Sequence, residues 1–330
     1  MVWDDDELER WCQRVPKVEL HAHIHGSIRP STLQELLVVV SRKTLRRIVI
    51  EAVEDFAAQN VTYLELRSTP RALERDGASR EDYVAEVVSA LDECHSRTDL
   101  DIQVRLLLSI NRNQPHELAE ETVAMAVAWK KKCPYVLGID LSGHSERADS
   151  EFHRFERVLE SARRQGLKLA IHFAEHFDDD EAERIMAFRP DRVGHACCLS
   201  DGHYEQLIQL RIPIEVCLTS NVHTLARYQK EECGCNAKDS NGLCLCGYQT
   251  HPHREVVTLH SSYPLCLCTD DHGVLDTTLS REYSRAAMAF GLSKERLVAI
   301  ARGAVDMIFD DEAKGALQAA FEAFQNTNPN

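Results

Sequence analysis

Eight short apolar runs, separated by longer charged segments, constrain the fold of this chain more than any other feature of its sequence. The runs span residues 18–23, 61–69, 101–110, 136–143, 167–175, 192–198, 212–221 and 263–271. Most are rich in Val, Ile and Leu and show little polar alternation, which is typical of strands buried on both faces. The runs therefore predict a parallel sheet covered by helices.

The segments between the runs have the apolar spacing of helices. REDYVAEVVSALDECHS, HELAEETVAMAVAWKKK, EFHRFERVLESARRQG and DDEAERIMAFRP place apolar residues three and four positions apart. Gly166 and Pro190 stand near the ends of two of them, as helix stops do. Pro213 and Pro264 stand at the starts of the last two runs, where a missing N–H disturbs strand pairing least.

The alternation of strand and helix, with a strand count of eight, predicts an α/β fold of the (β/α)8 TIM barrel type. Such barrels occupy about 250 residues, so we expect a single barrel domain over residues 1–330. The alternative is an open doubly wound sheet. It is disfavoured because no glycine-rich phosphate loop follows the first run.

Composition excludes several classes of protein. The formal net charge of -15 argues against a general attraction to nucleic acid or anionic lipid, so an anionic ligand needs a local basic site. The N-terminus is acidic where a secretory signal has a basic region, and no apolar stretch is long enough to span a membrane. We therefore expect a soluble protein of the cytosol, with no membrane and no nucleic-acid partner.

Polar residues stand at the C-terminal end of every run, in the groups HAHIH, RSTPR, INRN, SGH, HFAE, GH, TSN and TDD. In a closed barrel these ends surround one mouth, where such barrels hold their active sites. A single histidine is more often structural than functional. Because several strand ends each supply histidine or aspartate, a shared metal site is the better interpretation. The residues expected around this rim are His21, His23, His172, His195, Asp270 and Asp271.

Imidazole and carboxylate ligands without a thiolate suit zinc, with iron or cobalt as alternatives. His21 and His23 lie two apart on a strand, so both point to the same face and can reach one ion. A bound metal lowers the pKa of a coordinated water to about 7. Glu175 and His195, nearby on the rim, are candidates for moving or orienting protons.

Twelve cysteines in a long chain without an export signal are expected to be reduced. Five of them lie in apolar runs, where cysteine behaves as a small core residue: Cys197, Cys198, Cys217, Cys266 and Cys268. Residues 228–262 form a Cys-rich insertion before the eighth run, with Cys233, Cys235, Cys244, Cys246, His251 and His253. Its CxC pairs differ from the usual zinc spacing, which favours a flexible reduced loop over a second metal site.

With these motifs in place, the chain resembles the adenosine deaminase family of metal-dependent hydrolases. The resemblance lies in LHAHIHGS, YLELRSTPR, GIDLSG, IHFAE, RVGH, CLTSN and CTDD, which occur in the family's order between residues 15 and 310. Within the family the chain is most similar to the branch that acts on N6-methyl-AMP. LELRSTPR is the discriminating motif, because its hydroxyls and guanidinium suit a phosphate.

The resemblance implies a role for each matching residue. The ligands of one zinc ion would be His21, His23, His172 and Asp270. Glu175 would donate a proton to purine N1, His195 would orient the attacking water and take up its proton, and Asp271 would hold purine N7. Leu141-Ser142-Gly143 stands where relatives with two metals have a lysine, which favours one ion.

The resemblance also implies a set of substrate contacts: His23, His25, Ser68, Thr69, Pro70, Arg71, Asn111, Gly143 and Asp271. His25 stands where this branch usually has asparagine, Asn111 where it has aspartate, and His144 also departs from the pattern. The expected reaction is hydrolysis of N6-methyl-AMP to IMP and methylamine by a monomer.

Two alternatives remain open at this point. One is an adenosine deaminase that acts on free nucleosides. The other is a metal-binding but catalytically impaired protein. The second is motivated by a shortened segment after the first strand, VVVSRKTLRRIV, which omits several tens of residues that cover the pocket in relatives.

Overall fold

In the computed structural model, eight parallel strands pair in the order in which they follow one another along the chain. The structure describes residues 5–35, 41–144, 146, 150–225, 245–259 and 262–327. The strands are β1 Lys17–His23, β2 Val61–Ser68, β3 Gln103–Asn111, β4 Val136–Ser142, β5 Lys168–Phe173, β6 Arg192–His195, β7 Ile214–Val216 and β8 Leu265–Leu267.

The sheet closes where the chain just beyond β8 meets the end of β1. The backbone N–H of Asp270 donates to the carbonyl of His21 at 2.8 Å, and the N–H of His23 donates to the carbonyl of Asp270 at 3.0 Å. These two bonds form a parallel bridge between Ala22 and Asp270. The predicted (β/α)8 barrel is therefore confirmed, and its closure lies at the mouth where the polar residues converge.

The described helices surround this barrel. They are α1 Asp5–Arg14, α2 Pro30–Glu35, α3 Arg42–Ala58, α4 Arg80–Ser96, α5 His116–Lys130, α6 Glu156–Arg164, α7 Asp179–Phe188, α8 Asp201–Leu210, α9 Leu218–Leu225, α10 Leu245–Gln249, α11 Arg254–Leu259, α12 Leu279–Phe290, α13 Lys294–Gly303 and α14 Lys314–Thr327. None of the described helices is long and apolar enough to cross a bilayer.

Capping residues explain where several helices begin and end. α4 begins with a capping box, in which the Ser79 hydroxyl accepts from Asp82 N and the Asp82 carboxylate accepts from Ser79 N at 2.9 Å. Gly166 follows α6 with a φ of 81°, a left-handed conformation that glycine adopts at little cost. The four segments with helical spacing are confirmed as α4 to α7, although a short 3-10 turn precedes α6 at Phe152–Arg154.

The barrel interior is more polar than the apolar runs predict. Its fully buried charged side chains are Lys17, Glu19, Glu65, Arg67, Asp140, Arg192 and Glu215. Arg192 donates to Glu215 Oε1 at 2.6 Å and also bonds Glu65. A buried charge is stable only with partners, and the five side chains of Glu65, Arg67, Asp140, Arg192 and Glu215 form a connected network across the barrel.

Strand bounds differ from prediction in the last part of the barrel. The runs 212–221 and 263–271 contain only the three-residue strands β7 and β8. Asn221 N donates to the carbonyl of Cys217 at 2.9 Å, so the chain turns into α9 directly after β7. The TSN residues are therefore helical, and their polar side chains project from a helix N-terminus.

The Cys-rich segment 228–262 is not entirely a loop, because α10 and α11 lie within it. Cys233, Cys235 and Cys244 lie outside the described residues, as does the side chain of Cys246. The prediction that these cysteines do not form a second metal site therefore falls outside the described part of the chain. The five cysteines predicted for the core are free and buried. Residues 36–40, within the shortened segment, also lie outside the described part of the chain.

Candidate active site

Three histidine rings meet at the C-terminal mouth of the barrel. His21 and His23 come from the end of β1, and His172 comes from β5. The Nε2 atom of His172 lies 3.2 Å from that of His21 and 3.1 Å from that of His23. Two residues apart on one strand, His21 and His23 therefore face the same point, as the sequence spacing predicts.

Asp270 completes this group from just beyond β8. Its Oδ1 atom lies 3.4 Å from the Nε2 atoms of both His21 and His23. The backbone of Asp270 is left-handed, with a φ of 63°, a conformation that costs a non-glycine residue free energy. Ser220 Oγ donates to Asp270 Oδ2 at 2.7 Å, so this hydrogen bond orients the carboxylate and leaves Oδ1 facing the histidines.

His21, His172, His195 and Asp270 each offer one donor atom within 4.8 Å of the others. Three of these are predicted ligands, whereas His195 is predicted to act on protons. The fourth predicted ligand, His23, lies against the same donors through the contacts given above. The structure thus brings all five side chains together.

A carboxylate lies behind each of two predicted ligands. Glu215 Oε2 lies 2.8 Å from His21 Nδ1. Asp140 Oδ1 lies 3.1 Å from His172 Nδ1, although not at a hydrogen-bonding angle. Such partners fix ring orientation and leave Nε2 free to bind a metal.

One guanidinium holds both carboxylates in place. Arg67 Nη1 donates to Asp140 Oδ1 at 3.0 Å, and its Nη2 donates to Glu215 Oε2 at 2.5 Å. Both carboxylates are fully buried, and their pKa values lie well below the usual range because arginine and histidine charges outweigh the effect of burial. Sequence reasoning missed this layer, although charged residues inside apolar runs were a visible signal.

Glu175 and His195 line the cleft beside the histidine cluster. His195 Nε2 lies 3.7 Å from Glu175 Oε1 and 4.0 Å from Asp270 Oδ2. Burial lowers the pKa of His195 to about 4. His195 also has a left-handed backbone, with a φ of 62°, so two of the rim residues are strained.

Asp271 lies next to Asp270 and faces Gly26. Burial, together with the neighbouring charge of Asp270, raises the pKa of Asp271 to about 7. A Cβ atom at Gly26 would lie 1.6 Å from Asp271 Oδ1, so any side chain there would displace the carboxylate. The glycine after the third histidine of HAHIHG therefore makes room for a predicted substrate contact.

A cleft of about 720 Å³ opens above the cluster. The predicted site residues that line it are His23, His25, Ser68, Thr69, Arg71, Asn111, Gly143, His172, Glu175, His195, Asp270 and Asp271. His21 is buried beneath this surface, and Pro70 is not among the lining residues. A larger groove of about 1080 Å³ runs along α5 and α6 and holds none of the predicted residues.

The lining of the cleft also includes a basic side chain and hydroxyl groups, from Arg71, Ser68 and Thr69. Arg71 makes no ion pair with any described residue, and its Nε atom is buried without a hydrogen-bond partner. Burial, with the Arg71 charge, lowers the pKa of His25 to about 3. The Ser68 hydroxyl lies 2.5 Å from that of Tyr83, whose ring stacks on His25 at 6.2 Å between centroids.

Comparison with known proteins identifies the family. The model of the adenosine deaminase family matches residues 37–237. The N6-mAMP deaminase of Arabidopsis thaliana is 34% identical over 372 aligned positions, which cover 95% of this chain and 98% of that protein. Because these positions outnumber the 330 residues of the chain, the relative has residues where this chain has none.

Solved structures agree with this assignment. The structure of Arabidopsis ADAL complexed with GMP is similar with a TM-score of 0.84 and 34% identity, covering 97% of this chain and 100% of that one. The same protein complexed with IMP gives a TM-score of 0.83 at 34% identity, with coverage of 96% and 99%. The chain thus belongs to the adenosine deaminase family and is a hydrolase that acts on a carbon–nitrogen bond.

Proposed function

We propose that this chain hydrolyses N6-methyl-AMP to IMP and methylamine with one zinc ion. Two kinds of support point to this substrate. The Arabidopsis relative is named as an N6-mAMP deaminase, and Arabidopsis ADAL binds GMP and IMP. The observation that carries the proposal is that Arg71, which lines the same cleft as the catalytic candidates, makes no ion pair with any described residue.

The donor atoms at the mouth fit a zinc ion. Atoms that bind one zinc ion at about 2.0–2.1 Å lie within about 3–4 Å of one another. The Nε2 separations of 3.1 and 3.2 Å and the Asp270 separations of 3.4 Å lie within that range. His21, His23, His172 and Asp270 would therefore hold the ion, with Glu215 and Asp140 behind two of them.

When bound, zinc supplies the positive charge that lowers the pKa of a coordinated water. Glu175 would donate a proton to purine N1 and so make carbon six more electrophilic. Asp271 would hold N7, and Gly143 would contact the ring through its backbone, which has a φ of 100°. His195 would orient the water, whose oxygen adds to carbon six, and the bond to the methylamino nitrogen then breaks. Of the two protons of the water, one goes to that leaving nitrogen and the other restores the proton that Glu175 gave to N1.

The phosphate would lie against Arg71, Ser68 and Thr69, and His25 would contact the ribose. An arginine that is partly buried and pairs with no described residue is costly without an anion, and a phosphate supplies one. The free nucleoside is the second candidate substrate, because the family model itself describes adenosine deaminase. The two candidates differ in whether Arg71 has an anion to bind.

The test compares N6-methyl-AMP, AMP, N6-methyladenosine and adenosine with quantified zinc. Arg71→Ala should lower kcat/KM on the monophosphate about 10- to 100-fold, because a hydrogen bond to a charged group is worth about 1.5–3 kcal/mol. It should leave the nucleoside unchanged. Arg75→Ala, an exposed arginine in the following turn, is the matched control. Equal loss on both substrates, or turnover of nucleosides alone, would contradict the proposal.

A catalytically impaired protein is separated from an enzyme by Glu175→Gln. The proposal expects this substitution to abolish turnover while the zinc content stays at one ion per chain. A wild-type protein that holds zinc but converts none of the four purines would instead support the impaired alternative.

A further inference from the structure

Two buried histidines from the Cys-rich segment lie directly behind His195. His251 and His253 stand between α10 and α11, and their exposed fractions are 3% and 0%. His253 Nε2 donates to the backbone carbonyl of His195, and Asn221 links His251 to the His195 ring. Neither histidine lines the cleft, so neither touches the substrate.

The hydrogen bonds fix the protonation of each ring in turn. The backbone N–H of His253 donates to His251 Nδ1 at 3.2 Å, so this nitrogen carries no proton. A neutral His251 then holds its proton on Nε2, which lies 3.3 Å from Asn221 Oδ1 and donates to it.

The same logic fixes the orientation of the Asn221 amide. If the amide were turned over, its NH2 group would face His251 Nε2, which would then have to accept a hydrogen bond. His251 would need two unprotonated nitrogens, which a neutral imidazole does not have. The amide nitrogen therefore faces His195, and it donates to His195 Nδ1 at 2.9 Å.

We infer that His251, acting through Asn221, holds His195 in the tautomer that carries its proton on Nε2 and directs that N–H into the cleft. His195 Nε2 has no hydrogen-bond partner among the described residues, so its donor is available to an oxygen bound there. His195 is then a hydrogen-bond donor that orients the attacking water. Accepting a proton at Nε2 would first require release of the one it holds.

His253 fixes the other half of His195. Because its Nε2 donates to the His195 carbonyl, its Nδ1 accepts from the hydroxyl of Tyr204 at 3.1 Å. The bond from His253 to the His195 carbonyl holds the backbone of His195, whose φ is 62°. His251 and His253 are thus positioning residues, one for the ring and one for the main chain.

The inference rests on the proposed function only in giving His195 a role in the reaction, so the test has a part that needs no substrate. Long-range 1H–15N spectra of histidine-labelled protein report which ring nitrogen carries the proton, with His195 assigned from the His195→Gln spectrum. The inference expects an Nε2–H tautomer for His195 in the wild-type protein. An Nδ1–H tautomer would overturn it.

The kinetic part compares two substitutions with a control. His251→Phe should lower kcat on N6-methyl-AMP about 10- to 100-fold with little change in KM or zinc content. His251→Gln should retain most of kcat, because its amide can donate to Asn221 and accept from His253 N. His95→Phe, which removes a hydrogen bond to Val104 N far from the cleft, is the control for general destabilisation.

Equal kcat in His251→Phe and wild type would overturn the inference, as would equal losses in His251→Phe and His251→Gln. A wild-type protein without turnover would contradict the proposed function, and the spectra would still decide the tautomer.

Discussion

Gly194→Ala tests whether the strand β6 backbone is shaped around the ring of His21. Gly194 pairs with His172 on one side and with Glu215 on the other, so it lies at the level of the ligand cluster. A Cβ atom there would lie 2.6 Å from His21 Cε1 and 2.9 Å from His21 Nδ1. The backbone of Gly194 has no positive φ, so the added methyl group acts through this contact alone.

The geometry sets the size of the expected effect. Carbon atoms pack at about 3.5–4.0 Å, so the His21 ring would have to shift by about 1 Å. It has little freedom to do so, because its Nδ1 lies 2.8 Å from Glu215 Oε2. Metal sites tolerate errors of about 0.2 Å. We expect zinc affinity to fall at least about 10-fold, and overpacking to lower the free energy of unfolding by about 1–3 kcal/mol.

The measurements are metal content after dialysis against a chelator and urea unfolding of the metal-free protein. Gly202→Ala is the matched control, because Gly202 lies in α8 with no atom within 4 Å of the new Cβ. It should raise the free energy of unfolding by up to about 1 kcal/mol, since alanine favours a helix. If Gly194→Ala kept both its zinc and its stability, the reasoning about His21 would be refuted.

Three further predictions follow from the fold. Arg67→Lys should weaken zinc binding about 10- to 100-fold in a chelator competition, because lysine cannot hold Asp140 and Glu215 together. Arg105→Lys, whose partner is Asp310, is the control, and equal effects of the two substitutions would argue against a shared guanidinium. Asp178→Ala should lower the free energy of unfolding by about 1 kcal/mol in urea, since its side chain accepts from Glu181 N at 2.9 Å; Asp180→Ala, in the same turn, should cost less. Burial lowers the pKa of Lys17 from 10.5 to about 7, so between these pH values the unfolded chain binds more protons than the folded one, and the free energy of unfolding should rise with pH. Lys17→Met should remove this part of the pH dependence of unfolding in urea, and an unchanged pH dependence would contradict the burial effect.

The part of the site that lies at the ends of the strands could be predicted from the sequence. The spacing of His21 and His23 placed two imidazoles on one face, and the barrel topology brought β5, β6 and β8 residues to the same mouth. The partners behind the ligands could not be predicted, because Arg67 meets Asp140 and Glu215 only when strands far apart in sequence close into a barrel. Pairing of buried charges depends on distances that a sequence does not contain.

The Cys-rich segment illustrates the same division. Its composition and CxC spacing favour a flexible reduced loop, and they assign no role to the two histidines beside the cysteines. The fold instead buries His251 and His253 against His195 and Cys197, which lie more than fifty positions earlier in the chain. Their role depends on hydrogen-bond direction, which only neighbouring groups in space determine.

By itself, the sequence determined the barrel, its polar mouth and the residue types available there, because alternation and periodicity are local properties of the chain. The tertiary structure decided which nitrogen faces which oxygen. It closed the sheet through Asp270 beside His21 and His23, required a glycine at position 194, and directed the His195 ring into the cleft. The physical reason is that hydrogen bonds and steric contacts depend on distances of a few tenths of an ångström between residues remote in sequence.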